Sequence, residues 1–495
     1  MAARVPNLSK SRYQKGLQCH RQLWLECHRK HLADPISDTT RALFDMGHRV
    51  GELARERYRG GVLVEAGHRQ GALALRTTRE LMRRGADALF EAAFDGDGVF
   101  VRVDVLLKAP QGCWDLIEVK QSTRAKEEHV TDAAAQVYSI ERSGLSVRSA
   151  AIMYVDTEYV WQGGAYDPHR LFALEDITDQ VRSHLEILPG RLAEMRRMLS
   201  GDCPEKRFGK HCRKPYDCAF LGHCHASLPD FAITDLPWVT DEQLAALQAD
   251  GIYSVTEVPP VYPVLQARQQ TVCRVAAEHR VRFADGLAPA LAAAERPLFF
   301  LDFETVMSPL PLFPGTRPYQ VIPVQWSLHR LDGDGSLRHR EYLHEDRGDP
   351  RPGLIEALLE HVGERGSVVV YSSYEKTRLR QLAEELPAYT KEIAALEARL
   401  FDLEPVVKEH VQHHEFRGRS SLKRVLPALV PDLGYDDLTI ADGQTAMVQY
   451  EAAVRSGQNG TARTRLFADL SEYCARDTLG LCRVYQHLAE RAGLI

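Results

Sequence analysis

"VFVRVDVLLKAPQGCWDLIEVKQS", residues 99–122, decides how the first half of the chain reads. Valines alternate with Arg102 and Asp104 in the first segment, A-P-Q-G turns the chain, and a second alternating segment follows, the pattern of two strands in a hairpin. On the second strand Glu118 and Lys120 lie two residues apart and project from one face, while Ile117 and Val119 project from the other. Asp104 sits among valines, where a lone charge is costly without a partner. Two carboxylates and an amine therefore converge at one end of the hairpin. Such a set can hold Mg2+ or Mn2+ through oxygen ligands while the lysine orients or deprotonates water; an edge-strand salt bridge is the plainer alternative.

Working outward, the pattern from 40 to 90 is helical, in "RALFDMGHRVGELARERY" and "ALALRTTRELMRRGADALFEAA". After the hairpin come a helix in "HVTDAAAQVYSIERSG", a strand in "SAAIMYV" and a helix in "ITDQVRSHLEILPGRLAEMRRMLSG". That helix delivers the chain to "HCRKPYDCAFLGHC", closing a first domain at residues 1–228. "LPWVTDEQLAALQADGIYSVTEVP" and "DGLAPALAAAERP" form a small helical module and linker, 229–294. "PLFFLDFETV" opens a third region, 295–495, in which strands and helices alternate, so the fold class is α/β on a central sheet.

Length and composition are those of an ordinary globular chain: 495 residues, enough for two to four domains, 44% hydrophobic and 26% charged. There is no apolar run near the roughly 18 residues that span a bilayer, and the start lacks the apolar block of a secretory signal, so a cytoplasmic protein without membrane contact is expected. A net charge of -6 argues against an all-basic surface but allows a local basic groove. Arg4, Lys10, Arg12, Lys15, Arg21, Arg29 and Lys30 face only Glu26 in the first 30 residues, an imbalance that suits a phosphate backbone or a solvated face. Of ten cysteines, Cys27, Cys113, Cys273, Cys474 and Cys482 are scattered and read as packing residues. Cys212, Cys218 and Cys224 are clustered and point toward metal.

"VRVDVLL" followed by "DLIEVK" resembles the PD-(D/E)XK nuclease core, and in particular the RecB-like exonucleases that include the CRISPR adaptation nucleases. The resemblance implies metal ligation by Asp104 and Glu118, water activation by Lys120, and a histidine on an upstream helix, which "DMGHRVGELA" supplies as His48. It also implies a glutamine on the following helix, Gln136; the tyrosine usual four residues later is replaced by Ile140, with Tyr138 two positions early. Members of that group carry an iron-sulfur cluster whose first cysteine is near the N-terminus, and "LSKSRYQKGLQCHRQLWLE" offers Cys19 to join Cys212, Cys218 and Cys224. Four thiolates suit a 4Fe-4S cluster or zinc, and the resemblance favours iron-sulfur. Cys203, His211, His223 and His225 are set aside as alternative ligands.

In "LFFLDFETV", Asp302 and Glu304 share one face of an otherwise apolar strand. The pattern resembles the first motif of the DEDD exonucleases, a ribonuclease-H-like family. "VVVYSSYEKTRL" is similar to the second motif, with Glu375 where aspartate is usual, and "YCARDTLGLCRVYQHL" to the third, giving Tyr473 and Asp477. The resemblance implies metal ligation by Asp302, Glu304, Glu375 and Asp477, with Tyr473 orienting water. Asp402 matches a non-ligand aspartate, and His413, His414 and Glu415 read as an exposed polar loop. The middle module resembles a helix-hairpin-helix without its G-x-G turn. There is no phosphate loop for ATP-driven unwinding.

Taken in this order, the whole chain resembles a bacterial family described as a domain of unknown function that joins a RecB-like iron-sulfur nuclease to a DnaQ-like exonuclease. The expectation is a metal-dependent DNA exonuclease with two sites, acting on single-stranded or frayed ends in DNA repair. The alternatives are a nucleic-acid-binding factor with a degenerate C-terminal site, and a cluster-based redox sensor.

Overall fold

The computed structural model describes residues 7–67, 69–457 and 460–495, so Arg4 of the N-terminal basic run lies outside the described residues. The chain divides into two compact units, with the boundary between Ser227 and Leu228. Both are mixed α/β.

The first unit is built on strands β1 (Leu8–Ser9), β2 (Val62–Leu63), β3 (Ala88–Gly96), β4 (Val99–Lys108), β5 (Trp114–Lys120), β6 (Val147–Val155) and β7 (Phe172–Asp176). They run in the order β2-β3-β4-β5-β6-β7, with β1 alongside β4. The hairpin at 99–122 closes where the Ala109 amide donates to the Cys113 carbonyl at 2.8 Å, pairing Val105 with Ile117. β5 and β6 are parallel, so the chain must cross over between them, and helix Glu127–Arg142 makes the crossing. Every residue of that helix from His129 to Ile140 is buried, which explains its run of alanines: small side chains let it lie close to the sheet.

One expected helix is shorter than its sequence suggests. "ALALRTTRELMRRGADALFEAA" forms a helix only over Gly71–Arg83; from Ala88 the chain is β3, antiparallel to β4. Leu89, Phe90, Ala92, Ala93 and Phe94 are all buried, so the position fills with small and large apolar groups on both faces. Tertiary burial overrides the helix preference of alanine and glutamate.

The second unit carries β8 (Val281–Phe283), β9 (Leu298–Val306), β10 (Ile322–Leu331), β11 (Leu337–Leu343), β12 (Ser367–Val370), β13 (Leu400–Asp402) and β14 (Val411–His413). Five form a sheet in the order β11-β10-β9-β12-β13; β9, β10 and β11 are an antiparallel meander, and β12 and β13 run parallel to β9. Central β9 is sandwiched, which is why "LFFL" is apolar on both faces. Leu298 and Phe300 pack with helices Leu403–His410, Leu422–Leu429 and Thr461–Arg491. Phe299, Leu301 and Phe303 pack with helices Arg351–Val362, Tyr374–Glu385 and Thr390–Glu397. Each such side chain contributes about 1.5–3 kcal/mol by leaving water. The alternation then carries Asp302 and Glu304 onto the face of Leu298 and Phe300, toward the C-terminal helix.

Within the stretch 229–294, residues from Phe231 to Ala276 form a hydrophobic cluster of their own, and the linker end packs into the rest of this unit. β8 pairs with β14, and Leu287 and Leu291 are buried with Leu298 and Phe300. Among the described residues no helix is long and apolar enough to cross a membrane.

Candidate functional site

Three groups of reactive side chains stand out, two in the first unit and one in the second. In the first unit, Glu118 and Lys120 extend from β5 toward helix Glu127–Arg142. Lys120 Nζ donates to Glu118 Oε1 at 2.6 Å and to Asp132 Oδ2 at 2.7 Å, and Gln136 Nε2 donates to Glu118 Oε2 at 2.6 Å. Lys10, from the first helix (Lys10–Gln18), donates to the same Glu118 Oε1 at 2.9 Å. Burial alone would raise the Glu118 carboxyl, but Lys10 and Lys120 outweigh it and hold it well below the carboxylate range. Lys120 loses by burial and gains more from Glu118 and Asp132, so its ammonium is held well above its ordinary value. Asp104 goes the other way: burial and the Glu118 charge push it up to about 8.

His48 is exposed on helix Asp38–Glu56 and lines a cavity of about 340 Å³ with Asp104 and Glu91. Asp104 Oδ2 accepts the Val119 amide at 2.7 Å. His48, Asp104 and Glu118 do not gather into a three-ligand group, because among the described residues only Asp302, Glu304 and Cys474 place ligand atoms within 4.8 Å of one another. The reason is visible at Glu118: both of its oxygens are engaged by Lys10, Lys120 and Gln136. Tyr138 stands apart, donating to Asp97 at 2.7 Å. Part of the N-terminal basic run is already engaged: Lys15 and Lys30 pair with Glu26 at 2.7 and 3.0 Å, and Lys10 belongs to the site. Lys10, Asp132 and Glu91 were missed in sequence. Lys10 and Asp132 come from elements far from the hairpin, and Glu91 lay in a segment read as helix.

Cys19, Cys212, Cys218 and Cys224 line one small cavity of about 20 Å³, with His211 at its edge. Short bonds tie the two segments together: Gln18 Nε2 donates to the His211 and Tyr216 carbonyls at 2.8 and 2.7 Å, and Asp34 accepts the Gly222 amide at 2.8 Å. Burial pushes the Cys218 thiol up to about 11 and raises Cys212 and Cys224, with Cys19 adding to each.

In the second unit β9 presents Asp302 and Glu304, helix Tyr374–Glu385 presents Glu375, and helix Thr461–Arg491 presents Tyr473, Cys474 and Asp477. Asp302 and Glu304 offer oxygens within 4.8 Å of the Cys474 sulfur, which lies 4.0 Å from Asp302 Oδ2. Burial and then the Asp477 charge raise Asp302 well above its ordinary value and Glu304 to about 8. Burial raises Glu375 to about 8, and its Oε2 is buried with no hydrogen-bond partner. Asp477 is also raised by burial, offset in part by the Tyr435 and Tyr473 hydroxyls and by Lys423. Asp302 and Glu304, short of positive charge, fit a divalent cation; Glu375 and Asp477 stand beside that pair, and among the described residues no third carboxylate joins it within 4.8 Å. Asp402 is not among them; its Oδ1 accepts the Ser372 and Glu404 amides.

Lys423 Nζ lies 5.0 Å from the Tyr473 ring and 5.4 Å from the Tyr435 ring, and Tyr435 donates to Asp477 Oδ1. Sequence reading missed both, and it took Cys474 for packing. Their neighbours in sequence carry no motif; only the fold brings them to the carboxylates.

The protein is therefore a two-unit α/β chain with a lysine-carboxylate cluster and a four-cysteine cavity in one unit, and a carboxylate cluster in the other. A family described as "Domain of unknown function (DUF2779)" matches residues 299–421, a span that includes Asp302, Glu304 and Glu375 and stops before Asp477. No curated protein matches the chain. Among solved structures, one described as "Crystal structure of SSO0001" is 16% identical over 46% of this chain and 90% of its own, with a TM-score of 0.22, too weak a likeness to carry an argument.

Proposed function

We propose that the chain is a metal-dependent nuclease, a DNA exonuclease acting on single-stranded or frayed ends, with its principal site at Asp302, Glu304, Glu375 and Asp477. The observation that carries this reading is the buried, unpartnered Glu375 Oε2 beside three further carboxyls raised above their ordinary range. A protein gains nothing structurally from such repulsion, and phosphoryl-transfer sites need it to hold cations. When bound, Mg2+ or Mn2+ supplies positive charge to the scissile phosphate and lowers the pKa of the attacking water. Tyr473, whose hydroxyl helps hold the Asp477 carboxyl down, would orient that water, and Lys423 would add charge toward the departing strand.

Topology supports the finer fold assignments. An antiparallel meander followed by two parallel strands, in the order β11-β10-β9-β12-β13, is the arrangement a ribonuclease-H-like DEDD domain requires. A helix, a three-stranded meander, a crossing helix and a parallel strand, as in Asp38–Glu56 through β6, suit a PD-(D/E)XK domain. There His48, Asp104 and Glu118 would hold metal once Glu118 is released from Lys10, and Lys120 would hold the attacking water. Cys19, Cys212, Cys218 and Cys224 would carry a 4Fe-4S cluster. No three of their sulfurs lie within 4.8 Å of one another among the described residues, whereas tetrahedral zinc with bonds of about 2.3 Å needs sulfurs about 3.8 Å apart.

The test is anaerobic purification, an absorbance scan, and digestion of end-labelled single-stranded DNA with Mg2+ or Mn2+. Asp302→Asn should lower cleavage on the order of 10²- to 10³-fold, and Lys120→Ala should remove about 10²-fold from whatever share the first site contributes. Wild-type rates in both variants would refute the assignment.

A further inference from the structure

The second unit contains a cavity of about 650 Å³ walled by Pro237 and Trp238, helix Ala267–Ala277 and the stretch from Val407 to Ser420. Its lining is one-sided in charge. Lys408, His413, His414, Arg417 and Arg419 face it and no aspartate or glutamate among the described residues does, in a chain of net charge -6. Lys408 is paired with Glu404 at 2.9 Å and Arg417 with Asp230, whereas Arg419 is exposed and has no ion pair among the described residues.

The cavity is also rich in flat rings. His414 stacks on His413 at 4.9 Å and 13°, and His413 on Phe416 at 5.2 Å and 24°, a short column of parallel rings. Trp238, 57% exposed, carries the Arg268 guanidinium 4.1 Å from its ring centroid. His414 Nδ1 is buried with no hydrogen-bond partner.

This arrangement is held against local preference. Trp238 and Arg417 have φ of 58° and 51°, and His279, whose ring meets His414 edge-on at 5.1 Å, has φ of 47°. Left-handed backbone is uncommon for non-glycine residues and persists where surrounding structure imposes it, a pattern concentrated at functional sites. The neighbouring Gly418 (φ 70°) is wedged so tightly that a Cβ there would lie 2.6 Å from Val272 Cγ2 and 3.0 Å from Pro237 Cγ. Two lining residues, Trp238 and Arg417, therefore hold this conformation at one cavity, with His279 behind His414, and the tight fit at Gly418 clamps the stretch that carries Arg417.

We propose that this cavity binds one nucleotide of a single-stranded nucleic acid, its base against the ring column and Trp238 and its phosphate on Arg419. Parallel aromatic rings beside cations are the means by which single strands are gripped without sequence readout, and the volume falls in the range of nucleotide-sized ligands. The inference deepens the nuclease reading and rests on it for the role of the site as a strand anchor. The cavity wall joins the carboxylate site through one bond: Tyr371, the residue after β12, donates to the Ser420 carbonyl at 2.5 Å, and Glu375 follows four residues later.

The experiment measures anisotropy of a labelled thymidylate 20-mer on the full-length protein in chelator, with free thymidine monophosphate as competitor. Trp238→Ala should weaken binding about tenfold or more. Arg419→Ala should weaken it and flatten the salt dependence by about 0.7 in slope, while Trp238→Phe keeps most of the affinity. Unchanged affinity and salt slope in both alanine variants, with melting temperatures at wild-type values, would overturn the proposal. So would binding of the mononucleotide without the strand. Asp302→Asn separates the two readings: it should bind normally and cut on the order of 10²- to 10³-fold more slowly. If Asp302→Asn cuts normally while Trp238→Ala loses binding, the nuclease assignment falls and the cavity stands.

Discussion

Asp302, Glu304, Glu375 and Asp477 all hold protons more tightly than free carboxyls do, because burial disfavours ionisation and neighbouring carboxylates add to it at Asp302, Glu304 and Glu375; Glu304 and Glu375 reach about 8. The consequence for stability has a definite sign. Between about pH 4, where unfolded carboxyls ionise, and about pH 8, these four groups bind more protons in the folded metal-free chain than in the unfolded one, so their contribution to stability falls as pH rises and levels off above that window. Glu375→Gln removes one charge from the group and should reduce the drop in melting temperature between pH 5 and pH 8 in chelator. Parallel pH profiles for the two proteins would show that the repulsion is absent. Added Mn2+ should stabilise the wild type more at pH 8 than at pH 5.5, since cation and proton compete for the same oxygens. These acids were legible because a period of two on an apolar strand exposes misplaced charge: Asp302 and Glu304 have no place in a sandwiched strand unless something binds them. Lys423, Tyr435 and Cys474 were illegible for the converse reason. A lysine on an amphipathic helix looks ordinary until the fold sets it beside the carboxylates, and Cys474, between Tyr473 and Asp477, is not a residue type that oxygen-ligated metal motifs ask for.

Elements were read well where periodicity and burial agree, as in β4, β5 and β9, and badly where they conflict. β3 is the instructive case, since "ALFEAA" has helix-forming residues and lacks alternation because both faces are buried. Its last residue explains how closely the crossing helix approaches. Gly96 donates to Ser139 Oγ at 2.9 Å, Ser139 Oγ donates to the Val99 carbonyl at 2.6 Å, and a Cβ on Gly96 would fall 2.1 Å from the Ser139 carbonyl oxygen. Backbone and helix cannot both stay in place with alanine there. Gly96→Ala should therefore cost about 1–3 kcal/mol of stability, the range for overpacking, and because the same helix carries Asp132 and Gln136 it should also disturb Glu118. Denaturant unfolding checks the first effect; a variant as stable as wild type would mean the helix moves away freely.

At the scale of the whole chain, two units with separate cores should unfold in separate steps. The four-cysteine cavity belongs to one of them and links segments 193 residues apart, the separation of Gln18 and His211 that bracket it. Closing a loop of that length stabilises by about 5 kcal/mol on chain-entropy grounds. The gain here should be smaller, because Gln18 and Asp34 already bridge the segments by hydrogen bonds. Cys218→Ser, or removal of bound metal by chelator, should lower the transition of the first unit and leave that of the second in place. The two are told apart by Glu375→Gln, which changes the pH dependence of the second alone. Loss of visible absorbance together with a shift of only the first transition supports a cluster that clips that unit; a shift of both would mean the units share their stability, and a shift of neither would leave the cysteines without the role proposed for them.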